Sequence, residues 1–395
     1  MSPHPSFRRR GLLLGLGATF ALGRARLAFA QAPGERRLVV ILLRGAMDGL
    51  FVVQPYADPG LAALRAPLVL PEPGREGGLL DLGGRFGLHP RFSHLHALFT
   101  AGQASLLHAV AGPYRSRSHF EAQDLLESGN PQRLTSGWLN RALQGLPAAQ
   151  QTGAGMAIGT GVPLLLRGAV PVGSYAPGEV ESPAPDLMYR LAGLHQADPK
   201  LHQAFAEGMR SRGFTSQTLG APDQDRERGS FPRLALAAGK LLAEARGPRV
   251  AALELGGWDT HVQQAGRLRG PIAALDDGLA RLQEGLGEAW ARTAVLVVTE
   301  FGRTARVNGN AGTDHGTAGV AFLVGGAVAG GRVLADWPGL GTEALLENRD
   351  LRPTRDLRSL AKGLLRDHLR LPAAAVARAF PDSPEVPPLG GLVHA

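Results

Sequence analysis

The sequence predicts an α/β fold with a mostly parallel central sheet and helices on both faces. Two observations lead to this prediction. Short continuous apolar runs recur along the chain, and strands that are buried on both faces of a parallel sheet have this composition. Amphipathic segments with helical spacing separate these runs, and such an alternation of strands and helices is typical of α/β domains.

The predicted elements can be placed along the chain. Five apolar runs are expected to be strands: Arg37–Leu43, Ser105–Ala111, Arg249–Leu255, Ala294–Thr299 and Val320–Val324. Three segments are expected to be helices: Phe120–Glu127, Ile272–Trp290 and Asp356–Leu371. The longest of these carries leucines at a spacing that places them on one helix face, which is expected to face the core.

The N-terminal segment resembles a twin-arginine export signal. Arg9 and Arg10 precede the apolar stretch Leu12–Leu22, and an A-x-A cleavage site ends at Ala30. The apolar stretch is about half of the ~20 residues that a membrane span requires. We therefore expect the twin-arginine translocase as the export partner, cleavage before Gln31, a periplasmic product and no stable membrane span. The alternative is an uncleaved basic anchoring helix.

The length and composition limit the number of domains and the kinds of catalytic and metal-binding groups. Residues 31–395 are predicted to form a single domain, with a polar surface excursion near 208–232. The chain has no cysteine, which excludes disulfides, thiolate catalysis and cysteine-ligated metals, so that any metal must be held by nitrogen or oxygen. The net charge of +8 includes five arginines in the first 30 residues, and the remaining +3 is poor evidence for nucleic-acid binding.

Polar groups follow four of the predicted strands, where sites form in open α/β sheets. They include Asp48 after the first strand, Ser118 and His119 after the second, Asp259 and His261 after the third, and Glu300, Arg303, Asp314 and His315 after the fourth. Each group also has a structural interpretation, because turn residues and solvated charges occur at the same places. Their recurrence along one sheet edge favours a common site.

Two motifs suggest metal binding. Asp259 and His261 are two residues apart, a spacing that puts both side chains on one face of an extended backbone, where they can share a metal. Asp314 and His315 lie between two glycines, which allow close approach of the backbone. Nitrogen and oxygen ligands suit zinc or manganese better than calcium or magnesium.

Ser118 and the arginines allow two interpretations each. Ser118 with Glu121 matches S-x-x-E, a helix capping box, yet a helix N-terminus also suits a nucleophile or a bound anion. In a catalytic role His119 is the nearby cation, and Ser116 is the alternative nucleophile. Four arginines are either solvated charges or groups that bind an oxyanion: Arg44, Arg115, Arg117 and Arg303.

Five strings resemble one exported bacterial family, the family of unknown function numbered fifteen-oh-one. They are LLRGAMDG (42–49), RSHFEAQ (117–123), GWDTH (257–261), TEFGRT (299–304) and GTDHG (312–316). The resemblance extends over essentially the whole chain after residue 30. That family is placed beside the alkaline-phosphatase-like superfamily, which includes sulfatases, phosphodiesterases and metal-dependent mutases.

The resemblance implies a catalytic order. Enzymes of that superfamily have an aspartate after the first strand and a nucleophile at a helix N-terminus, followed by further aspartate, histidine and acidic ligands that hold two cations. Asp48, Ser118, Asp259 with His261, Glu300, and Asp314 with His315 fall in that order. The resemblance thus implies Ser118 as nucleophile and six metal ligands: Asp48, Asp259, His261, Glu300, Asp314 and His315. His119 and Arg303 are the other predicted catalytic residues, and Arg44, Arg115 and Arg117 are the predicted substrate contacts.

Two departures leave the state of this site open. Asp259 and His261 are closer in sequence than the usual pair, and Phe301 stands where a histidine often follows the acidic ligand. A two-metal site is then incomplete, reduced to one metal or lost. The expected function is hydrolysis of a small anionic phosphate or sulfate ester. The alternative is a non-catalytic binding or assembly protein of the cell envelope.

Overall fold

The computed structural model describes residues 36–147, 153–176, 218–219 and 230–394. The predicted signal segment 1–30 and most of the predicted polar excursion 208–232 therefore lie outside the described residues. Within the described parts of the chain, no helix is long and apolar enough to cross a membrane.

Strands make up the centre of the molecule. In chain order they are β1 (Arg37–Leu43), β2 (Val53–Gln54), β3 (Leu80–Asp81), β4 (Gly87–Leu88), β5 (Ala104–Ala111), β6 (Gly155–Ile158), β7 (Gly173–Tyr175), β8 (Val250–Leu255), β9 (Thr293–Thr299), β10 (Gly319–Val324), β11 (Arg332–Leu334) and β12 (Arg355–Asp356). Each of the five predicted strands is present, with ends that differ from the prediction by at most one residue.

One large sheet joins most of these strands. Its order is β11-β5-β10-β9-β1-β8-β6-β7, with β12 paired to β5, while β2, β4 and β3 form a separate small antiparallel sheet. Strand β10 runs antiparallel to both β5 and β9. All other pairings of the large sheet among the described residues are parallel. The predicted mostly parallel sheet is confirmed.

Helices cover both faces of this sheet. They are α1 (Gly49–Val52), α2 (Gly60–Arg65), α3 (Ser93–Thr100), α4 (His119–Ser128), α5 (Trp138–Leu143), α6 (Phe231–Ala243), α7 (Gln264–Arg267), α8 (Arg269–Leu286), α9 (Leu357–Gly363) and α10 (Ala373–Ala379). Short 3₁₀ segments span Ala66–Leu68, Leu164–Leu166, Gly287–Arg292 and Thr342–Ala344, and a π-helical turn spans Leu364–His368.

Strand β1 shows how the two layers are built. All seven of its residues are buried. Val39, Ile41 and Leu43 face a core that includes α6 and α8, whereas the alternate residues of β1 face a second core that includes α5, α9 and α10. A continuous apolar run is required because both sides of the strand are covered.

The predicted helices are present, with shifted ends. Helix α8 begins at Arg269 and ends at Leu286, where a 3₁₀ segment replaces the predicted continuation to Trp290. All four leucines of its predicted core face are buried: Leu275, Leu279, Leu282 and Leu286. The predicted helix Asp356–Leu371 is capped by the Asp356 side chain, which accepts a hydrogen bond from the Arg358 amide, and it changes to π geometry after Gly363.

Two buried histidines should make the fold sensitive to acid. His108 and His368 are inaccessible to solvent, and burial lowers the pKa of each from 6.5 to about 4. His108 Nδ1 accepts a hydrogen bond from the Ala109 amide, and His368 Nδ1 has no partner among the described residues. A proton on either nitrogen would therefore lack an acceptor.

We expect the free energy of unfolding to fall as the pH drops from 6.5 to 4. In this window both histidines bind protons in the unfolded chain but stay neutral in the folded chain. The free energy of unfolding therefore changes by about 1.4 kcal/mol per pH unit for each histidine. Urea denaturation at a series of pH values measures it. His368→Phe should lower the slope of the free energy of unfolding against pH by the contribution of one histidine. An unchanged slope would show that His368 has the same pKa in the folded and unfolded chains.

Candidate metal centre

The loops that follow four strands meet at one edge of the large sheet. Strands β1, β5, β8 and β9 point the same way, so their carboxyl ends lie together. Strand β10 runs the other way and begins at this edge, where Gly319 pairs with Val110 near the end of β5. The loop between β9 and β10 therefore turns back on itself, and His315 forms an isolated β-bridge with Arg303.

Three imidazole rings converge there. His315 Nε2 lies 2.9 Å from His119 Nε2 and 3.0 Å from His261 Nε2. Asp259 completes the group, because its Oδ1 lies 2.9 Å from His261 Nε2 and 3.4 Å from His315 Nε2, and its Oδ2 lies 3.6 Å from His119 Nε2. Ligand atoms of His119, Asp259 and His315 all lie within 4.8 Å of one another. We call these four residues the histidine cluster.

The second nitrogen of each ring has its own partner outside the cluster. His119 Nδ1 lies 2.8 Å from Glu300 Oε1, and His261 Nδ1 lies 3.1 Å from Asp314 Oδ1. His315 Nδ1 lies 3.0 Å from the carbonyl oxygen of Arg117. All three partners are acceptors, an arrangement that would keep the proton on each Nδ1 and free each Nε2 for a metal, as in metal-binding histidines.

The spacing of these donors can be compared with that around a divalent metal. Ligands about 2.0–2.1 Å from a tetrahedral zinc lie about 3.3 Å apart, and the contacts of His315 Nε2 with the other donors are 2.9, 3.0 and 3.4 Å. Imidazole nitrogens with one carboxylate oxygen are a common zinc donor set.

The electrostatics of the cluster follow from its contacts. Burial acts to raise the pKa of Glu300, but hydrogen bonds, of which that from His119 is the strongest, hold it at about 2. The same hydrogen bond raises the pKa of His119. Burial lowers the pKa of His315. Burial opposes the charged form of Asp259, but Arg303 holds its pKa below the usual value.

Comparison with known proteins agrees with the motifs. A profile of the family described as "Protein of unknown function (DUF1501)" matches residues 94–380, well over half of the chain. The chain belongs to this family. No characterised protein among the curated sequences matches it. The resemblance predicted from the five strings is therefore confirmed.

Solved structures that are similar to this DUF1501 chain include a member of the alkaline phosphatase superfamily, a hydrolase and a periplasmic domain. A protein in that superfamily from Vibrio parahaemolyticus has 13% identity and a TM-score of 0.34, over 83% of this chain and 71% of the other. A phosphonate monoester hydrolase of Agrobacterium radiobacter has 12% identity and a TM-score of 0.35, over 76% and 70%. The C-terminal periplasmic domain of EptC from Escherichia coli, in complex with zinc, has 11% identity and a TM-score of 0.31, over 76% of each chain.

Within this DUF1501 chain, Asp48 is not part of the histidine cluster. Its side chain is only 1% exposed, and its Oδ2 lies 2.7 Å from Arg65 Nη1 and 2.6 Å from Gln264 Nε2. Its Oδ1 has no hydrogen-bond partner among the described residues, so the expected role of Asp48 as a metal ligand stays a prediction. No feature of the sequence identified Arg65 as the partner.

Glu300 and Asp314 each contact the Nδ1 atom of a histidine in the cluster. Both were expected to bind the metal directly, and that role stays a prediction. Glu300 Oε1 also accepts hydrogen bonds from the Gly45 amide and from Gln123 Nε2. Asp314 Oδ1 also accepts a hydrogen bond from Asn308 Nδ2.

His119 was expected to act beside Ser118, and the structure assigns it to the cluster. It is the first residue of α4, and its ring stacks on Phe301 with 4.9 Å between centroids. Phe301, which departs from the superfamily pattern, is thus a packing surface for His119. The sequence signal was present in the string RSHFEAQ, but nothing there distinguished a ligand from a catalytic cation.

Arg303 lies beneath the cluster rather than at its mouth. Its side chain is inaccessible to solvent and donates to Asp259 Oδ1 and to carbonyl oxygens, including those of Gly45, Ala46 and Thr313. Because every nitrogen of the guanidinium is engaged, Arg303 positions Asp259 and the loop after β1. The predicted direct role of Arg303 in catalysis stays a prediction.

Ser118 precedes α4 in extended conformation, but its side chain makes no capping hydrogen bond. The predicted capping box is therefore wrong, because Glu121 instead accepts a hydrogen bond of 2.6 Å from the Tyr114 hydroxyl. The same hydroxyl accepts a hydrogen bond from the Ser118 amide. Ser118 is half-buried and Ser116 is exposed.

The three arginines that were expected to bind substrate differ. Arg44 pairs with Glu127 at 2.7 Å and with Glu254, so its charge is neutralised. Arg117 has a left-handed backbone (φ 63°) and pairs with Asp350 at 2.9 Å, so that its carbonyl faces His315. Arg115 is exposed and donates only to backbone carbonyls in the described residues, which leaves it able to contact an anion.

Proposed function

We propose that this chain is a zinc-dependent hydrolase of small anionic phosphate or sulfate esters. The observation that supports the proposal most strongly is the convergence of three Nε2 atoms on Asp259, with each Nδ1 bound to an acceptor. Among the described residues, one group of metal-ligating atoms lies within 4.8 Å of one another, that of His119, Asp259 and His315, and His261 contacts the last two. Asp48 Oδ2 is paired with Arg65. We therefore propose a single metal rather than a pair.

The proposed metal position is open to substrate. The side chains of Asp259 and His261 are 46% and 41% exposed, so one side of the cluster faces solvent. A bound divalent ion would act as a Lewis acid on an ester oxygen and would lower the pKa of a nearby nucleophile. The chain itself holds the donors in place through Glu300, Asp314 and Arg303.

Ser118 is the proposed nucleophile. It lies directly before His119 and at the start of α4, where the first amides of the helix have no partner within it and favour an anion. Attack of Ser118 Oγ on phosphorus or sulfur would release the alcohol, and water would then release the inorganic anion from Ser118. Arg115 is the proposed contact for the anionic oxygens.

A second candidate is a non-catalytic binding or assembly protein of the cell envelope. One observation favours it: the cluster contains four protein donors, and four protein ligands close the coordination shell of a structural zinc. A closed shell would leave no position for substrate. Zinc binding without hydrolysis of any ester would support this candidate.

The proposed site of action is outside the cytoplasm. Arg9, Arg10 and the A-x-A site that ends at Ala30 support export through the twin-arginine translocase. That pathway carries folded proteins, so a metal could be loaded before export. A chain without cysteine also needs no oxidative folding.

Substitutions of Ser118 test the catalytic proposal. In the zinc-loaded protein, Ser118→Ala and Ser118→Asp should both lower turnover of aryl phosphate or sulfate esters by several orders of magnitude, because neither residue provides an alkoxide. Zinc content should not change. Since Ser118 makes no capping bond, Ser118→Ala should change the free energy of unfolding by less than about 0.5 kcal/mol.

Ser116→Ala is the matched control, because Ser116 lies two residues away and is exposed. It should retain turnover. Retained turnover in Ser118→Asp would contradict the role of Ser118 and would leave Ser116 or water as the attacking group.

A further inference from the structure

Gln264 joins the two loops that carry the histidine cluster. Its Nε2 donates to Asp48 Oδ2 over 2.6 Å. Its Oε1 accepts two hydrogen bonds, from Thr260 Oγ1 over 3.1 Å and from Thr313 Oγ1 over 2.5 Å. All four side chains are at most 1% exposed, so water does not compete for these hydrogen bonds.

The two threonines lie beside the metal donors in sequence. Thr260 stands between Asp259 and His261, and Thr313 stands directly before Asp314 and His315. The Thr313 amide also donates to the Thr260 carbonyl over 3.2 Å, so the two loops already touch at this point. One glutamine oxygen therefore connects both ligand-bearing loops.

Asp48 fixes the direction of the Gln264 amide. The carboxylate of Asp48 is paired with Arg65 and accepts hydrogen bonds only. The NH₂ group of Gln264 must face Asp48, and its carbonyl oxygen must face the threonine hydroxyls. This gives Asp48 and Arg65 a role at the site although neither contacts the cluster.

We propose that Gln264 is a positioning residue of the metal centre, which sets the separation between the loop of Asp259 and His261 and the loop of Asp314 and His315. The inference rests on the proposed zinc site. Loss of the bridge would let the loops shift apart, and the Nε2 atoms of His261 and His315 would no longer meet at one point.

Substitution by methionine, which has a similar shape and no amide, tests this role. Gln264→Met should weaken zinc affinity by about 10- to 100-fold, the range for residues that support metal ligands. Gln54→Met is the matched control, because Gln54 is equally buried and makes two hydrogen bonds, to the Leu68 carbonyl and from the Leu70 amide. It should leave zinc affinity within threefold of the wild type.

Two readouts separate positioning from folding. Competition with a chelator measures zinc affinity, and the visible absorption of the cobalt-substituted protein reports the geometry of the donors. We expect a changed cobalt spectrum for Gln264→Met and an unchanged one for Gln54→Met. Wild-type affinity and spectrum in Gln264→Met, or equal losses in both variants, would overturn the inference.

A second pair of variants covers the case in which Gln264→Met does not fold. Thr313→Val removes only the hydroxyl, whereas Thr313→Ser keeps it. Zinc affinity should fall in Thr313→Val and should stay near the wild-type value in Thr313→Ser. Equal affinities in the two variants would overturn the inference. If the wild type binds neither zinc nor cobalt, the proposed metal site itself fails, and the inference fails with it.

Discussion

A variant that carries His261→Ala and His315→Ala is expected to purify without zinc and to keep its fold. The two changes remove two of the three converging Nε2 donors, and His119 with Asp259 cannot complete a tetrahedral shell. Affinity should fall by more than about 100-fold, which is the upper end of the effect of residues that only support ligands. Plasma emission of the purified protein measures the zinc content.

His96→Ala is the matched control for this experiment. His96 lies on α3 and contacts the carbonyl oxygen of Asp81, away from the cluster. It should retain the full zinc content. Equal zinc in the double variant and in the wild type would show that these histidines are not the ligands.

Replacement of Arg303 is expected to produce the largest loss of stability. The buried guanidinium donates to Asp259 and to the carbonyls of Gly45, Ala46 and Thr313. Arg303→Ala leaves these acceptors without donors in a site that excludes water. Removal of one partner of a buried ion pair costs about 3–5 kcal/mol. Because Asp259 is partly exposed, we expect a loss near the lower end of this range when the free energy of unfolding is measured by urea denaturation.

Arg303→Lys should recover little of this loss, because an ammonium group cannot reproduce the planar fork of five donors. Arg306→Ala is the control, since Arg306 is exposed and a surface change costs within about 0.5 kcal/mol. Stabilities that do not differ between the two alanine variants would mean that the hydrogen bonds of Arg303 contribute little.

Much of the fold could be predicted because burial on both faces leaves a clear signal in the sequence. The sequence of strand β1 is a continuous apolar run, and the sequence of α8 places leucines on one helix face. The direction of a strand leaves no such signal. Strand β10 is as apolar as its neighbours, and only the connection from β9, which contains no helix among residues 300–318, makes it antiparallel.

The candidate site was predicted in position but not in detail. The sequence placed Asp259, His261 and His315 at one sheet edge, and these three residues belong to the cluster. The sequence could not show which acidic side chains lie among the histidine Nε2 atoms and which contact the Nδ1 atoms instead. Glu300 has the same chemistry as Asp259, and its role depends on the distance from His119 Nδ1.

Asp48 and Gln264 show the other limit of sequence reasoning. Asp48 matches a ligand position of the superfamily, and in the structure its Oδ2 accepts a hydrogen bond of 2.7 Å from Arg65 on α2. Gln264 belongs to none of the five strings and was not selected from the sequence. Its importance arises from two threonine hydroxyls that are brought together by separate loops.

Anomalous diffraction at the zinc absorption edge, from crystals of the zinc-loaded protein, tests the central claim most directly. We expect one strong peak about 2.0–2.1 Å from Nε2 of His119, His261 and His315, with Asp259 as the fourth neighbour and Asp48 still paired with Arg65. A peak bound by Asp48, a peak elsewhere on the chain, or no peak between the three rings would contradict it.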